Sequence, residues 1–159
     1  MPDFAIRLAR SEESAVIVAL IHAAFAEYRG RLKPESGALS ETPETIAAAF
    51  GDHWIAVAER DGALAGAVLY ARRGDDLYLG RLSTLPEHRG QGIAASLIAY
   101  AERHARDLAA AAVTLGVRIA LPENLKFFQA LGYREVGRQT HAGFDRPTSI
   151  RLAKRLDPR

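Results

Sequence analysis

The chain has 159 residues, the length of one ordinary domain with room for a full hydrophobic core. Hydrophobic residues make up 48% and charged residues 25%, which excludes a disordered chain, and the absence of cysteine excludes a disulfide framework, a thiolate nucleophile and a cysteine zinc site. The formal net charge is only +2, and the basic positions toward the C-terminus (Arg134, Arg138, Arg146, Arg151, Lys154, Arg155, Arg159) lack the density and interleaved aromatics of a nucleic-acid face.

Taken in order, residues 3–9 alternate weakly through Phe4, Ile6 and Leu8 and predict a first strand. Ser11 reads as an N-cap, with Glu12 and Glu13 in the first turn of a helix to about Tyr28 and with Val16, Leu20, Ala23 and Ala24 buried. Residues 29–41 carry Gly30, Pro34, Ser36-Gly37 and Ser40 and read as a loop. Thr42-Pro43-Glu44 combines a cap, an N1 proline and a first-turn acid, so a short second helix runs to about Phe50. Residues 53–59 and 63–72 are strand-like and joined by Asp61-Gly62, a strong hairpin signal. Gly74-Asp75-Asp76 turns the chain into a further strand, 77–84.

The next stretch organises the rest. Arg89-Gly90-Gln91-Gly92-Ile93-Ala94 follows that strand and opens a helix whose apolar positions (Ala94, Leu97, Ile98, Ala101, Ala105, Leu108) recur at helical spacing. A glycine turn at a helix start leaves main-chain N–H groups unpaired at the positive end of the helix dipole, which suits a pyrophosphate. A P-loop is excluded because no Lys-Ser or Lys-Thr follows the second glycine. Gly90-x-Gly92-x-x-Ala95 fits a loose dinucleotide fingerprint. However, Pro86-Glu87-His88-Arg89 separates strand from glycines, and residues 109–112 are all alanine where a ribose-binding carboxylate is expected.

Beyond the helix, residues 113–119 predict a strand, Pro122 starts a helix that Gly132 ends with Leu125, Phe128 and Leu131 on one side, and 133–139 with 148–152 predict a closing strand pair around Gly143–Pro147. The order is β-α-α-β-β-β-α-β-α-β-β, a mixed α/β (α+β) sheet protein with no repeat or linker, expected to be one domain over 1–159.

The run 82–94, with Pro86, Arg89, Gly90, Gly92 and Ala94, resembles the acetyl-CoA loop of the GNAT (GCN5-related) N-acetyltransferases, whose signature is Arg or Gln, two residues, Gly, one residue, Gly or Ala. The element order is also that of the GNAT acyl-CoA N-acyltransferase fold. The run from Asn124 through Phe127 and Phe128 to Gly132-Tyr133 is similar to a second landmark of the family. The resemblance implies direct transfer of acetyl from acetyl-CoA to a primary amine of a small molecule or peptide, without a covalent enzyme intermediate. It places Leu82, Ser83, Thr84, Arg89, Gly90, Gln91, Gly92, Ile93, Ala94, Ala95, Asn124, Phe127 and Phe128 at the cofactor. It also makes the 28–42 loop, with Tyr28, Arg29 and Glu41, the acceptor wall. Asn124 reads equally well as a polar helix-start residue.

The family's usual tyrosine falls at Phe128, so no catalytic acid is assigned; Tyr70, Tyr78 and Tyr133 are candidates by type alone. The base is open among Glu27, Glu35, Glu41, Asp75, Asp76 and the histidines, of which His22, His88 and His104 stand out. No histidine pair has metal-ligand spacing, so no metal is expected. The missing tyrosine leaves a second reading, a non-catalytic acyl-CoA-binding module. No stretch has the length of a membrane span, and residues 1–10 lack a signal-like apolar core. These point to a cytoplasmic monomer or homodimer without membrane or nucleic-acid partners.

Overall fold

The computed structural model describes residues 3–156; Arg159 lies outside them. The element order matches the expectation, in a seven-stranded sheet ordered β1-β2-β3-β4-β5-β7-β6. The strands are β1 (Ala5–Leu8), β2 (Trp54–Arg60), β3 (Ala63–Arg73), β4 (Asp76–Thr84), β5 (Ala112–Arg118), β6 (Arg134–Gln139) and β7 (Ser149–Arg155). The helices are α1 (Ser14–Phe25), α2 (Pro43–Ala49), α3 (Ile93–Asp107) and α4 (Pro122–Ala130).

Along β2 the side chains alternate between two cores. Ala56 and Ala58 pack with α3 residues Leu97, Ile98 and Ala101, while Ile55 and Val57 pack with Ile17 and Ile21 of α1 and Ile46 of α2. The sheet is therefore covered on both faces, which explains why β3 is buried from Leu64 to Ala71 and does not alternate. Asp61 and Gly62 both adopt positive φ, as the two-residue hairpin between β2 and β3 requires.

Several local expectations are corrected. Ser11 does not cap α1; it begins a 3-10 turn, and Glu13 reaches back to the Arg10 N–H (2.8 Å) while pairing with Arg7. The α-helical part ends at Phe25, and residues 26–28 tighten into a 3-10 turn. Val16 is 54% exposed and Ala23 is exposed; the buried face is Ile17, Val18, Leu20, Ile21 and Ala24. α1 is apolar nearly all round, so its sequence contained no contrast to fix which face turns inward. The 29–41 loop contains a 3-10 turn at Gly37–Ser40 and anchors itself with buried Leu32 and Ala38. The closing pair forms, but β7 inserts between β5 and β6 and leaves β6 as the edge.

Two features position the site. β4 and β5 are parallel but pair only at Leu77↔Val113 and Tyr78↔Thr114, after which they diverge. In the same stretch β4 bulges against β3: Ala67 pairs with Ser83 and Leu69 with Gly80, so β4 takes one extra residue, and Arg81 sits at φ 54. Gly66 on β3 lets the start of α3 approach closely, since a Cβ there would meet Ile93 Cγ2 at 2.7 Å and Ser83 O at 3.0 Å.

Candidate active site

The divergence of β4 from β5 opens a cleft of about 1220 Å³. Beyond Tyr78 the β5-facing edge of β4 has no strand partner, so main-chain groups there face the cleft. One wall is β4 (Gly80, Leu82, Thr84) with Ala94 at the head of α3; the opposite wall is β5 (Leu115 to Arg118) with Asn124, Phe127 and Phe128 of α4. The roof comes from the end of α1 and the loop after it, including Glu27, Tyr28 and Glu35; Gln139, Thr140 and His141 close the far end.

The glycine turn lies at the β4–α3 end. Gly90 (φ 76) and Gly92 (φ 84) are left-handed, and no atom lies within 4 Å of where a Cβ would project at either. Gly92 caps α3 by conformation, and Ser96 N–H is the first to bond back, to Gly92 O at 3.0 Å. The N–H groups of Ile93, Ala94 and Ala95 therefore have no intrahelical partner, and the dipole favours an anion beside them. Side chains brace this turn from outside. Arg89 donates to Ala24 O (2.9 Å) and pairs with Glu27, tying the turn to α1; Arg60 pairs with Gln91 and Asp3. The guanidinium of Arg89 is thus spent on α1, and the recognition surface here is main chain. Ile93 is buried in the core, and Ser83 is buried with its hydroxyl donating to Arg81 O (3.0 Å).

The opposite side adds side chains to the likewise unpaired edge of β5. Burial raises the Tyr28 phenol above its ordinary value and Glu27 adds to this, while Asn124 and Arg89 pull against it; its proton is held firmly at neutral pH. Burial alone would raise the Glu41 carboxyl, but hydrogen bonds from Thr45 (2.6 Å) and Arg81 (2.8 Å) outweigh it and hold the group below its usual range. Glu41 does not line the cleft and meets it through Arg81, which does. Arg29 is exposed and outside the lining. Burial and the nearby Arg118 charge push His141 down, so the imidazole is neutral and able to accept a proton.

The tyrosines are sorted by the fold. Tyr70 is buried against Trp54 and bonded to His104 Nδ1 (2.8 Å); Tyr133 is buried and donates to Glu102 (2.8 Å). Both lie outside the cleft, and burial raises each well above the ordinary tyrosine range. Of the five tyrosines only Tyr28 and Tyr78 line it, and the Arg73 guanidinium stacks 3.8 Å over the Tyr78 ring. Phe128 also lines the cleft, packed edge-on against Phe127 and Tyr133.

Among the other residues considered as bases, Glu27 and Glu35 reach the cleft. His22 donates from Nε2 to Glu41 O (2.8 Å), His88 lies beside Arg60, and none of His22, His88 and His104 lines the cleft. Asp76 sits with Tyr78 in a smaller adjoining recess, and Asp75 is exposed in the β3–β4 turn. Arg118, Gln139 and His141 were not singled out in the sequence. No motif marks them, because β5 and the β6–β7 turn reach the cleft only through the strand order. Among the described residues no cluster of three His, Cys, Asp or Glu is arranged to hold a metal, and no helix is long and apolar enough to cross a membrane.

Comparison with known proteins agrees with this geometry. The acetyltransferase (GNAT) family model matches residues 17–133. The ribosomal-protein-S18-alanine N-acetyltransferase from Escherichia coli superposes with a TM-score of 0.79 at 15% identity, covering 96% of this chain and 93% of that one. The PaiA N-acetyltransferase from Thermoplasma acidophilum, in complex with coenzyme A, gives 0.78 at 17% identity, covering 96% and 99%. The yncA protein from Salmonella typhimurium, with its cofactor acetyl-CoA, gives 0.76 at 17% identity, covering 98% and 95%. At these identities the structural likeness speaks for the fold.

Proposed function

The chain belongs to the acetyltransferase (GNAT) family and is an N-acetyltransferase of that fold; from this premise we propose that it moves an acetyl group from acetyl-CoA to the primary amine of a small molecule or peptide. The observation that carries the reading is the glycine turn at the head of α3, open to solvent where a Cβ would project and continuous with the β4–β5 cleft.

The residues present fit a CoA pyrophosphate: the main chain from Gly90 to Ala95 offers it unpaired N–H groups, and neither glycine obstructs its approach. Acetyl-CoA supplies an activated thioester carbonyl. The unpaired edge of β4 at Leu82 and Thr84, with Asn124, Phe127 and Phe128 opposite, would hold the pantetheine arm. A main-chain N–H at the β4 bulge would serve the developing oxyanion. The neutral amine would attack the carbonyl carbon, forming the C–N bond as the C–S bond breaks, with the proton shed by nitrogen passing to water in the cleft and CoA leaving as thiolate.

Phe128 has no proton to give. A CoA thiol is near the cysteine range and leaves without a strong acid, and Tyr28 is the group we place to protonate it. It is one of the two cleft tyrosines, and it lies beside Asn124, one helical turn before Phe128 on α4.

Two measurements test the reading. A thermal-shift titration with acetyl-CoA should raise the melting temperature, by mass action worth about 2.7 kcal/mol at a hundredfold excess over Kd. Thiol release over a library of amines should show turnover. No shift at millimolar acetyl-CoA together with no thiol release from any amine overturns it.

A further inference from the structure

Three arginines line the cleft, and their partners differ. Arg81 is neutralised by Glu41 (Nε to Oε2, 2.8 Å), and Arg89 by Glu27. Arg118, at the open end of β5, has no carboxylate partner among the described residues. Its two terminal nitrogens donate to the main-chain carbonyls of Pro34 (2.8 Å) and Glu35 (3.3 Å). A guanidinium carries five N–H donors, so these two bonds leave three for another partner.

The charge of Arg118 is therefore half-buried with no carboxylate at ion-pair distance among the described residues. Burial lowers its pKa, and the Glu35 carboxylate acts in the opposite direction as the smaller effect. The two carbonyl contacts fix the fork, bridging β5 to the α1–α2 loop across the mouth of the cleft. Tyr78 and Gly116 lie on the same face of the diverging strands, with the Tyr78 hydroxyl 3.9 Å from where a Gly116 Cβ would sit, and His141 stands beside the arginine. Arg118 stands on the β5 wall, across the divergence from β4.

We infer that Arg118 is an anion clamp for the acceptor, and that the acceptor is a small primary amine that also bears a carboxylate. A planar guanidinium matches a carboxylate with two parallel N–H···O bonds, which orients the ligand as well as holding it. A cation already fixed by main-chain carbonyls loses little side-chain freedom when the anion arrives. The inference rests on the acetyltransferase reading and specifies its substrate.

The experiment is thiol release with acetyl-CoA and matched amine panels: glycine, β-alanine and a set of L-amino acids, each beside its carboxamide and its simple alkylamine, with aminoalkylphosphonates as a second anionic arm. The wild type should prefer carboxylates over carboxamides by roughly 10–100-fold in kcat/KM, the span of a charge-assisted hydrogen-bond pair. Arg118→Gln should erase that preference, raising the KM of the acid and leaving that of the carboxamide and of acetyl-CoA near wild type. Arg118→Lys, which keeps the charge but loses the planar fork, should fall between them, and melting curves of both variants control for the lost tie to the α1–α2 loop. Carboxamides or alkylamines turned over as well as acids by wild type overturn the clamp while leaving the acetyltransferase reading standing. So does an equal loss on acids and amides in Arg118→Gln. A preference for phosphonates over carboxylates overturns the carboxylate assignment. Absence of thiol release from every amine overturns both readings.

Discussion

On the α3 side of the cleft the surface offered to a ligand is main chain. Gly90 to Ala95 present N–H groups, β4 presents an unpaired edge, and the nearby side chains are otherwise engaged: Arg89 with Ala24 O and Glu27, Gln91 with Arg60, and Ile93 in the core. Across the cleft the edge of β5 is equally unpaired, and side chains are added to it by segments far apart in sequence: Tyr28 after α1, Arg118 at the end of β5, and Gln139 and His141 at the end of β6 and in the turn beyond it. A main-chain site depends on local conformation, and on the proposed reading it takes the group common to every CoA. A side-chain site can change one residue at a time, so it is where substrate choice resides.

The comparison breaks most easily at Gly92. Gly92→Val places a β-branched residue at φ 84 and fills the space before the helix N-terminus. The expected loss is on the order of 1,000-fold in kcat/KM for acetyl-CoA, from strain and several lost charge-assisted bonds. The thermal response to acetyl-CoA should vanish while the fold survives. A normal KM for acetyl-CoA would remove the main-chain half of the comparison.

A smaller effect sharpens the side-chain half. Tyr28→Phe should lower kcat by about 100-fold, the lower end for a positioned general acid, with acetyl-CoA binding little changed. Tyr78→Phe should leave kcat within a few-fold. Phe128→Tyr in the Tyr28→Phe background should restore part of the rate, since both positions line the cleft near Asn124. Equal kcat in Tyr28→Phe and wild type would remove Tyr28 from proton transfer.

A control lies outside both halves. The Glu13 carboxyl is held down to about 2 chiefly by its hydrogen bonds with Arg7 (3.0 and 2.8 Å), against the cost of burial, with the Arg10 N–H assisting. A carboxylate with a depressed folded-state pKa contributes stability above its unfolded value of 4.5, and that contribution is lost as pH falls from 4.5 toward 2. Melting temperature should drop through that window in wild type and more shallowly in Glu13→Gln, with unchanged kinetics at neutral pH. The smallest effect is Arg29→Ala: an exposed residue outside the lining should change the acceptor KM by less than about twofold, within the usual range for surface positions.

By itself the sequence determined the order of elements and the main-chain turn. Gly90, Gly92 and the periodic apolar face of α3 act within one short segment, and local sterics and helix geometry suffice to make a turn with unpaired N–H groups there. Thr42 and Pro43 likewise specify α2, and Asp61-Gly62 the hairpin, through contacts no more than a few residues apart. The inward face of α1 was not legible, since a helix apolar nearly all round leaves the choice to the sheet it packs on. The place of β7 inside β6 was not legible either, nor the divergence of β4 from β5, nor the meeting of Arg118 with Pro34 and Glu35. These depend on which strands pair and how far, a matter of long-range ladders and packing. That Arg118 meets no carboxylate at ion-pair distance among the described residues is decided only in three dimensions, because no local pattern records which arginine will find a carboxylate and which will be left facing the cleft.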